Sequence, residues 1–194
     1  MPEPPMPHTP SPLLLALRAG TQACHQRLEA RLPFFRDDFD LPAYRRLMQA
    51  YYGFHAPLQA LLADHQDSER AKTAVLEHDL LALGLSPAEV TALPRCRALP
   101  ATDNEASALG VMYVIEGSTL GGQVLKRAMA ERLGIDGDHG ARFLDVYGPL
   151  TGAHWRSFLQ RLEQPGASHP QTVAAAIATF ECFEHWLQDC GVLA

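Results

Sequence analysis

Residues 114–126 read VIEGSTLGGQVLK and lie within a long segment of helical periodicity. Each glycine inside a helix costs about 1 kcal/mol relative to alanine, so Gly117, Gly121 and Gly122 together cost roughly 3 kcal/mol. At about 100° per residue, Gly110, Gly117 and Gly121 fall on one strip of the helix. The strip predicts a groove of bare backbone, which suits either close packing of a second helix or contact with a flat ligand.

Helical periodicity extends over almost the whole chain, and no stretch alternates with a period of two. The predicted helices cover about 14–32, 40–62, 68–83, 86–94, 102–134, 154–163 and 170–190. Asp40 is the predicted N-cap of the second helix, and Ser86 with Glu89 forms a predicted capping box. The chain is therefore predicted to be all-α, with one folded domain over 13–194 and a disordered proline-rich tail over 1–12.

Composition and charge restrict the class of protein. A chain with 47% hydrophobic and 20% charged residues is typical of a soluble globular domain. A formal net charge of -6 argues against a nucleic-acid or anionic-membrane partner, since both require a basic surface. The four cysteines show neither CxxC nor CxxCH spacing, so they are predicted to be reduced thiols in a cytoplasmic protein. No apolar run approaches the roughly 20 residues of a membrane span.

His25 lies in the middle of the apolar stripe of the first predicted helix, about 20° from the line through Leu14 and Leu32. A histidine in that position is either a hydrogen-bonded core residue or a ligand. Glu29 follows one turn later, where it can orient the imidazole ring. Arg18 precedes His25 on the same face, roughly 10 Å along the axis. An imidazole, a cation two turns away and a helix of bare backbone together describe a slot for haem.

Three segments resemble one family. LRAGTQACHQRLE (17–29) and YVIEGSTLGGQVLK (113–126) are similar to the haem oxygenase family in its bacterial, biliverdin-producing branch. FECFEHWL (180–187) is similar to the aromatic-rich last helix of that family. The resemblance extends from about Leu13 to Leu193, and GSTLGGQVLK is its most specific element.

The resemblance implies a multi-helical bundle that holds haem between the first, proximal helix and the glycine-rich, distal helix. It implies oxidative cleavage of haem to biliverdin, carbon monoxide and ferrous iron, with molecular oxygen and electrons from an external donor. Haem is then substrate as well as cofactor. A ferredoxin or a flavoprotein reductase is the implied donor, because no nucleotide or flavin motif occurs in the sequence. Some bacterial members serve bacteriophytochromes, so such a protein is a candidate acceptor of the product.

The resemblance also implies roles for individual residues. His25 is the implied proximal ligand of the haem iron, and Gly117, Gly121 and Gly122 lie in the implied distal helix. The candidates for the catalytic set are Gly117, Ser118 and Gly121. Mammalian-type members carry an aspartate where this chain has Ser118, so the residue that organises the distal water network stays open. The other candidates for that task are Asp103 and Glu116.

Further contacts to haem are expected from side chains of two kinds. Arg18 is the first candidate for a haem propionate, and Lys126 and Arg156 are additional cations. The candidate aromatic walls of the slot are Tyr113, Phe180 and Phe183. Each of these side chains also fits an ordinary place in the core or on the surface.

Two other classes of protein are alternatives. A non-catalytic haem carrier or sensor needs the same His25 and the same slot, but it performs no turnover. A helical interaction module needs only the glycine face and binds no haem. A carboxylate di-iron enzyme is disfavoured, because it requires repeated Glu-x-x-His pairs, and the nearest pair here is Glu181 with His185.

Overall fold

The computed structural model describes residues 10–164 and 169–194, which form helices joined by short connections, without a β-strand among them. The α-helices are α1 (Pro12–Arg31), α2 (Leu41–Leu61), α3 (Thr73–Ala82), α4 (Pro87–Ala92), α5 (Glu105–Gly117), α6 (Gly122–Leu133), α7 (Thr151–Leu162) and α8 (His169–Asp189). Short 3-10 helices are formed by Pro33–Phe35, Ser68–Arg70, Ser118–Gly121, Phe143–Asp145 and Gly148–Leu150. The all-α prediction is confirmed. None of the described helices is both long enough and apolar enough to span a bilayer.

Helix starts follow the predicted capping chemistry. The Asp40 carboxylate accepts a hydrogen bond from the Ala43 amide at 2.8 Å, and Ser86 with Glu89 forms the complete capping box. Ser11 caps α1 through the Leu14 amide at 3.2 Å, so Pro12 already belongs to the helix. Of the tail predicted over 1–12, residues 1–9 lie outside the described part of the chain.

The prediction of one continuous helix over 102–134 is wrong. Asn104, not Thr102 or Asp103, caps α5, with its side-chain oxygen 3.0 Å from the Ser107 amide. α5 ends at Gly117, and a 3-10 turn over Ser118–Gly121 separates it from α6. The hydroxyls of this turn donate to backbone carbonyl groups of the last turn of α5, and such bonds compete with the helical pattern.

The helix predicted over 68–83 also begins later than expected. Ser68–Arg70 forms a 3-10 turn, and α3 starts only at Thr73. The side-chain oxygen of Gln59 accepts hydrogen bonds from the amides of Lys72 and Thr73 at 2.8 and 2.9 Å. A side chain from α2 therefore caps α3, and this long-range contact is invisible in the local sequence.

α8 packs against α5, α1 and α2, so it lies at the centre of the fold. Gly110 permits the contact between α5 and α8, because a Cβ at that position would overlap the carbonyl oxygen of Thr172. Gly20 does the same between α1 and α8, where a Cβ would come 2.6 Å from Cγ1 of Val173. Helix packing, not ligand contact, is therefore the structural reason for Gly110.

Candidate functional site

A cavity of about 1070 Å³ opens between α1, α2, α5, α6 and α8. This volume is at the upper end of the range of about 300–1,000 Å³ that is usual for ligand sites. Large apolar side chains that are exposed to solvent border it at Leu15, Phe35, Leu120 and Val124. Exposed apolar groups that cluster in this way indicate a binding surface. The cavity is therefore the candidate functional site.

His25 lies on the wall of the cavity that α1 provides. Its side chain is 53% exposed, and its ring packs edge-on against Phe180 with the centroids 5.6 Å apart. Nδ1 lies 3.5 Å from a carboxylate oxygen of Glu29, within ion-pair distance but longer than a normal hydrogen bond. The other ring nitrogen is left available, so this imidazole can serve as a ligand.

The two bare positions of the cavity wall are Gly117 and Gly121. A Cβ on Gly121 would meet no atom within 4 Å, and a Cβ on Gly117 would come no closer than 3.7 Å to the Trp155 ring. Neither glycine is therefore required by helix packing. Backbone at these positions borders open space, as contact with a flat ligand requires.

Gly122, the third glycine of the implied distal helix, has a different environment, and the structure does not support a contact between it and the ligand. It is absent from the cavity lining, and a Cβ there would overlap the carbonyl oxygen of Leu144. The glycine lets the start of α6 approach the Phe143–Asp145 turn. The two explanations of the glycine strip thus apply to different residues: Gly110 and Gly122 serve packing, and Gly117 and Gly121 border the cavity.

Arg18 and Glu29 line the cavity on the same helix as His25. The two cations that follow on α1, Arg27 and Arg31, bind Glu184 at 2.7 and 2.8 Å. In the described part of the chain, Arg18 has no carboxylate within ion-pair distance. Its guanidinium is thus free to bind an anionic group of a ligand.

The other predicted cations lie elsewhere. Lys126 binds the Asp145 carboxylate at 3.1 Å, and neither Lys126 nor Arg156 lines the cavity. The expectation that these two residues contact the ligand is therefore not supported. Trp155, which precedes Arg156 in α7, does line the cavity, as do the predicted aromatic residues Tyr113, Phe180 and Phe183.

Of the three candidates for the distal water network, only Ser118 lines the cavity, and its hydroxyl donates to the Ile115 carbonyl at 2.8 Å. Asp103 is exposed and lies away from the cavity. Glu116 is a buried residue of α5 that does not line the cavity. Its carboxylate lies 2.6 Å from Arg70 and 2.5 Å from Lys72. The structure does not support Glu116 as the candidate for the water network, since its oxygens already bind Arg70 and Lys72.

The Tyr147 hydroxyl completes this buried cluster, at 3.0 Å from the Glu116 carboxylate and 2.9 Å from the Lys72 ammonium. Burial lowers the pKa of Lys72 and raises the pKa of Tyr147. We call Arg70, Lys72, Glu116 and Tyr147 the buried cluster. It joins the start of α3 to α5 immediately before Gly117, so it supports the helix end that borders the cavity.

Two cavity residues on α2, Tyr51 and His55, were missed by sequence reasoning. They are one turn apart and their rings stack, with centroids 6.1 Å apart and planes 19° apart. The spacing of four between two polar aromatic residues in an apolar helix was the available signal. The same spacing is ordinary in a helical core, so by itself it does not indicate a site.

The site can hold a planar, largely apolar ligand with an imidazole on one side. No group of three or more His, Cys, Asp or Glu side chains within residues 10–164 and 169–194 could hold a metal ion. A metal bound to His25 must therefore bring most of its own ligands, as an iron porphyrin does. The open backbone at Gly117 and Gly121 and the unpaired Arg18 fit the face and the carboxylates of such a molecule.

Comparison with known proteins identifies relatives over most of the chain. The family described as Heme oxygenase matches residues 11–189. A curated heme oxygenase of Xanthomonas campestris pv. campestris (strain 8004) is 34% identical over 118 residues. That alignment covers 59% of this chain and 66% of the relative, which is just under two thirds of its length.

Solved structures share the fold at low sequence identity. Heme oxygenase-1 from the cyanobacterium Synechocystis sp. PCC6803, in complex with heme, has a TM-score of 0.72 at 20% identity, with 92% of each chain covered. The heme oxygenase of Leptospira interrogans has a TM-score of 0.69 at 19% identity, covering 92% of this chain and 100% of the other. The NO- and CO-bound heme oxygenase of Neisseria meningitidis has a TM-score of 0.68 at 23% identity, with 94% and 93% covered.

Proposed function

The chain belongs to the haem oxygenase family, and we propose that it cleaves haem to biliverdin, carbon monoxide and ferrous iron. The observation that carries this proposal is that His25 on α1 and the bare positions Gly117 and Gly121 border one cavity. A ligand in that cavity meets an imidazole from one helix and side-chain-free backbone from another. Haem can use the imidazole as an iron ligand and the bare backbone as a contact for the face of its ring.

Haem, when bound, supplies the oxygen-binding iron and the ring that is opened. The chain supplies binding and orientation. His25 binds iron, and Glu29 orients the imidazole through Nδ1. Arg18 would hold a carboxylate of the bound haem. The apolar walls exclude water, and the backbone at Gly117 and Gly121 would leave room for the flat face of the ring.

The remaining partners belong to the same proposal. Molecular oxygen is the co-substrate, and electrons come from a separate protein, either a ferredoxin or a flavoprotein reductase. A bacteriophytochrome is the proposed acceptor of biliverdin. All four cysteines are unpaired, as expected in a reducing compartment, which supports a cytoplasmic location.

Spectroscopy with a reductant tests the activity. Purified protein is titrated with ferric haem, and the complex is incubated with ascorbate in air. We expect a one-to-one complex, loss of the Soret band, a biliverdin spectrum and release of carbon monoxide. A stable reduced complex would identify a haem carrier or sensor instead. Failure to bind haem stoichiometrically would reject both and favour a helical interaction module.

A further inference from the structure

α7 contributes a single side chain to the large cavity. Of the residues of α7, all of which the structure describes, only Trp155 belongs to the cavity lining. α7 contacts α1, α5 and the Ser118–Gly121 turn, so it touches both of the walls between which haem is proposed to lie. Trp155 is therefore placed where the cavity meets the end of α5.

The apolar end of the indole ring faces the bare backbone at Gly117. A Cβ on Gly117 would lie 3.7 Å from Cη2 and 3.8 Å from Cζ3 of Trp155, two carbons at the far end of its six-membered ring. The polar nitrogen belongs to the five-membered ring. The space beside Gly117 is therefore bordered by carbon atoms of Trp155.

Two aromatic neighbours hold the indole ring in this position. Tyr113, one turn before Gly117 on α5, has its ring centroid 6.0 Å from that of Trp155. Phe158, which is 1% exposed, has its ring centroid 5.7 Å from that of Trp155 on the α7 side. A side chain that packing fixes in this way presents one defined surface to a ligand, as a selective site requires.

Cations are scarce in the cavity wall. Among the described residues that line the cavity, Arg18 of α1 is the only lysine or arginine. Lys126 is bound to Asp145, and Arg156, the neighbour of Trp155, lies outside the lining. A carboxylate beside the indole ring would therefore find no cation from α7, and it would lose hydration against an apolar surface.

Haem has one edge that carries both of its carboxylates, and its other edges carry methyl and vinyl groups. Rotation of the ring about the axis through iron and His25 determines which edge lies beside Trp155. The same rotation determines which meso carbon is opened. A wall that accepts one edge and rejects another therefore selects the position of cleavage.

We propose that Trp155 is a specificity-determining residue for haem cleavage in this protein. Its indole ring accepts an apolar edge of haem beside Gly117 and excludes a carboxylate, and so favours one rotational form of the bound ring. This inference rests on the proposed function. It adds an apolar determinant on α7 to the attraction that Arg18 exerts from α1.

Proton NMR of the ferric haem complex with cyanide tests the proposal without turnover, because each rotational form gives its own set of shifted haem methyl resonances. We expect the wild type to show one dominant set after equilibration. Trp155→Gln replaces the indole by a shorter side chain with hydrogen-bonding groups. Its minor set should increase about tenfold relative to the major set, since a single group in a binding pocket changes discrimination by roughly that factor.

Turnover of the same proteins tests the consequence for cleavage. Biliverdin isomers formed by each protein are separated by chromatography. The wild type should form one predominant isomer, whereas Trp155→Gln should form a second isomer in proportion to its minor rotational form.

Three further variants serve as controls. Trp155→Phe and Trp155→Tyr both keep a ring and differ by one hydroxyl at its end. The phenylalanine variant should stay within about twofold of the wild-type ratio, and the tyrosine variant should move towards Trp155→Gln. Trp186→Phe changes the other tryptophan, which donates to the Ala50 carbonyl at 2.7 Å and does not line the cavity, so its ratio should match the wild type.

The outcomes separate this inference from the proposed function. Two equally populated forms in the wild type, or the wild-type ratio in Trp155→Gln, overturns the role of Trp155. If Trp155→Gln does not fold, equal ratios in the phenylalanine and tyrosine variants overturn it instead. A wild type that binds haem without forming biliverdin overturns the proposed function, and the NMR comparison then still decides whether Trp155 selects the rotation. A wild type that binds no haem overturns both.

Discussion

Gly121 and Gly122 are adjacent in the chain but serve opposite sides of the same turn. A Cβ on Gly121 meets open space at the cavity, whereas a Cβ on Gly122 would overlap the carbonyl oxygen of Leu144. One glycine therefore borders the site of ligand binding, and the other permits backbone packing. The difference offers a matched pair of substitutions at neighbouring positions.

Gly121→Leu should fold normally and bind haem at least tenfold more weakly, because the new side chain enters the cavity. Gly122→Ala should lower the free energy of unfolding by about 1–3 kcal/mol, since its Cβ forces the Leu144 backbone to move. Guanidinium denaturation and haem titration measure the two effects. Gly121→Ala serves as a control and should leave stability within about 1 kcal/mol of the wild type. Equal destabilisation by both alanine variants would contradict the assignment.

His25→Ala should leave the free energy of unfolding within about 0.5 kcal/mol of the wild type, because the side chain of His25 is 53% exposed and does not belong to the hydrophobic core. Its ferric haem complex should lose the spectrum of an imidazole-bound iron, and normal turnover should disappear. Added imidazole should restore part of the spectrum. Unchanged turnover in His25→Ala would remove this residue from the site. His185→Ala, on an exposed face of α8, is the matched control.

Glu116→Gln should lower the free energy of unfolding by about 3–5 kcal/mol. The substitution leaves the Arg70 and Lys72 cations buried together without their carboxylate. Glu29→Gln removes a carboxylate that is 62% exposed and should change stability by less than about 0.5 kcal/mol. Denaturant titrations at pH 7 measure both values. A loss below 1 kcal/mol in Glu116→Gln would show that the buried cluster does not hold α5 to the start of α3.

Stability should depend on pH through His55. Its pKa is about 3 in the folded protein and 6.5 when unperturbed, so the unfolded chain takes up the proton first as the pH falls. The stability contributed by the neutral ring is therefore complete above about pH 6.5 and is lost as the pH falls towards 3. The slope from this group is at most about 1.4 kcal/mol per pH unit.

His55→Phe should remove this dependence. Denaturation of both proteins between pH 4 and pH 8 measures it, and the difference between them isolates His55 from the carboxylates that titrate in the same range. The variant should gain stability relative to the wild type as the pH falls below 6.5. A constant difference across that range would show that His55 titrates normally.

Several features of the fold follow from local residues and could be predicted. The Asp40 cap, the Ser86–Glu89 capping box and the stop at Gly134 depend on contacts within a few residues. The apolar stripe that carries His25 depends only on helical spacing. The break after Gly117 could not be predicted in the same way, because glycines lower helix stability without saying whether the helix ends, bends or continues.

In the candidate site, too, some features follow from local residues and others depend on contacts between distant parts of the chain. Four residues expected to contact a ligand border one cavity: Arg18, His25, Gly117 and Gly121. Lys126 was predicted as a ligand contact, but Asp145 binds it from a distant turn. His55 lines the cavity only after α2 has packed against α8, so its place in the site could not be predicted from the local sequence.

The amino-acid sequence by itself determined the helical class, most helix limits and the presence of one histidine-bearing helix and one glycine-rich helix. These depend on periodicity and on side-chain to backbone contacts over three or four residues. The tertiary structure decided which glycine borders the ligand cavity, which carboxylate binds buried cations, and which predicted cation is paired away from the cavity. Those properties depend on what lies across an interface, and residues far apart in the chain meet there only once the helices have packed.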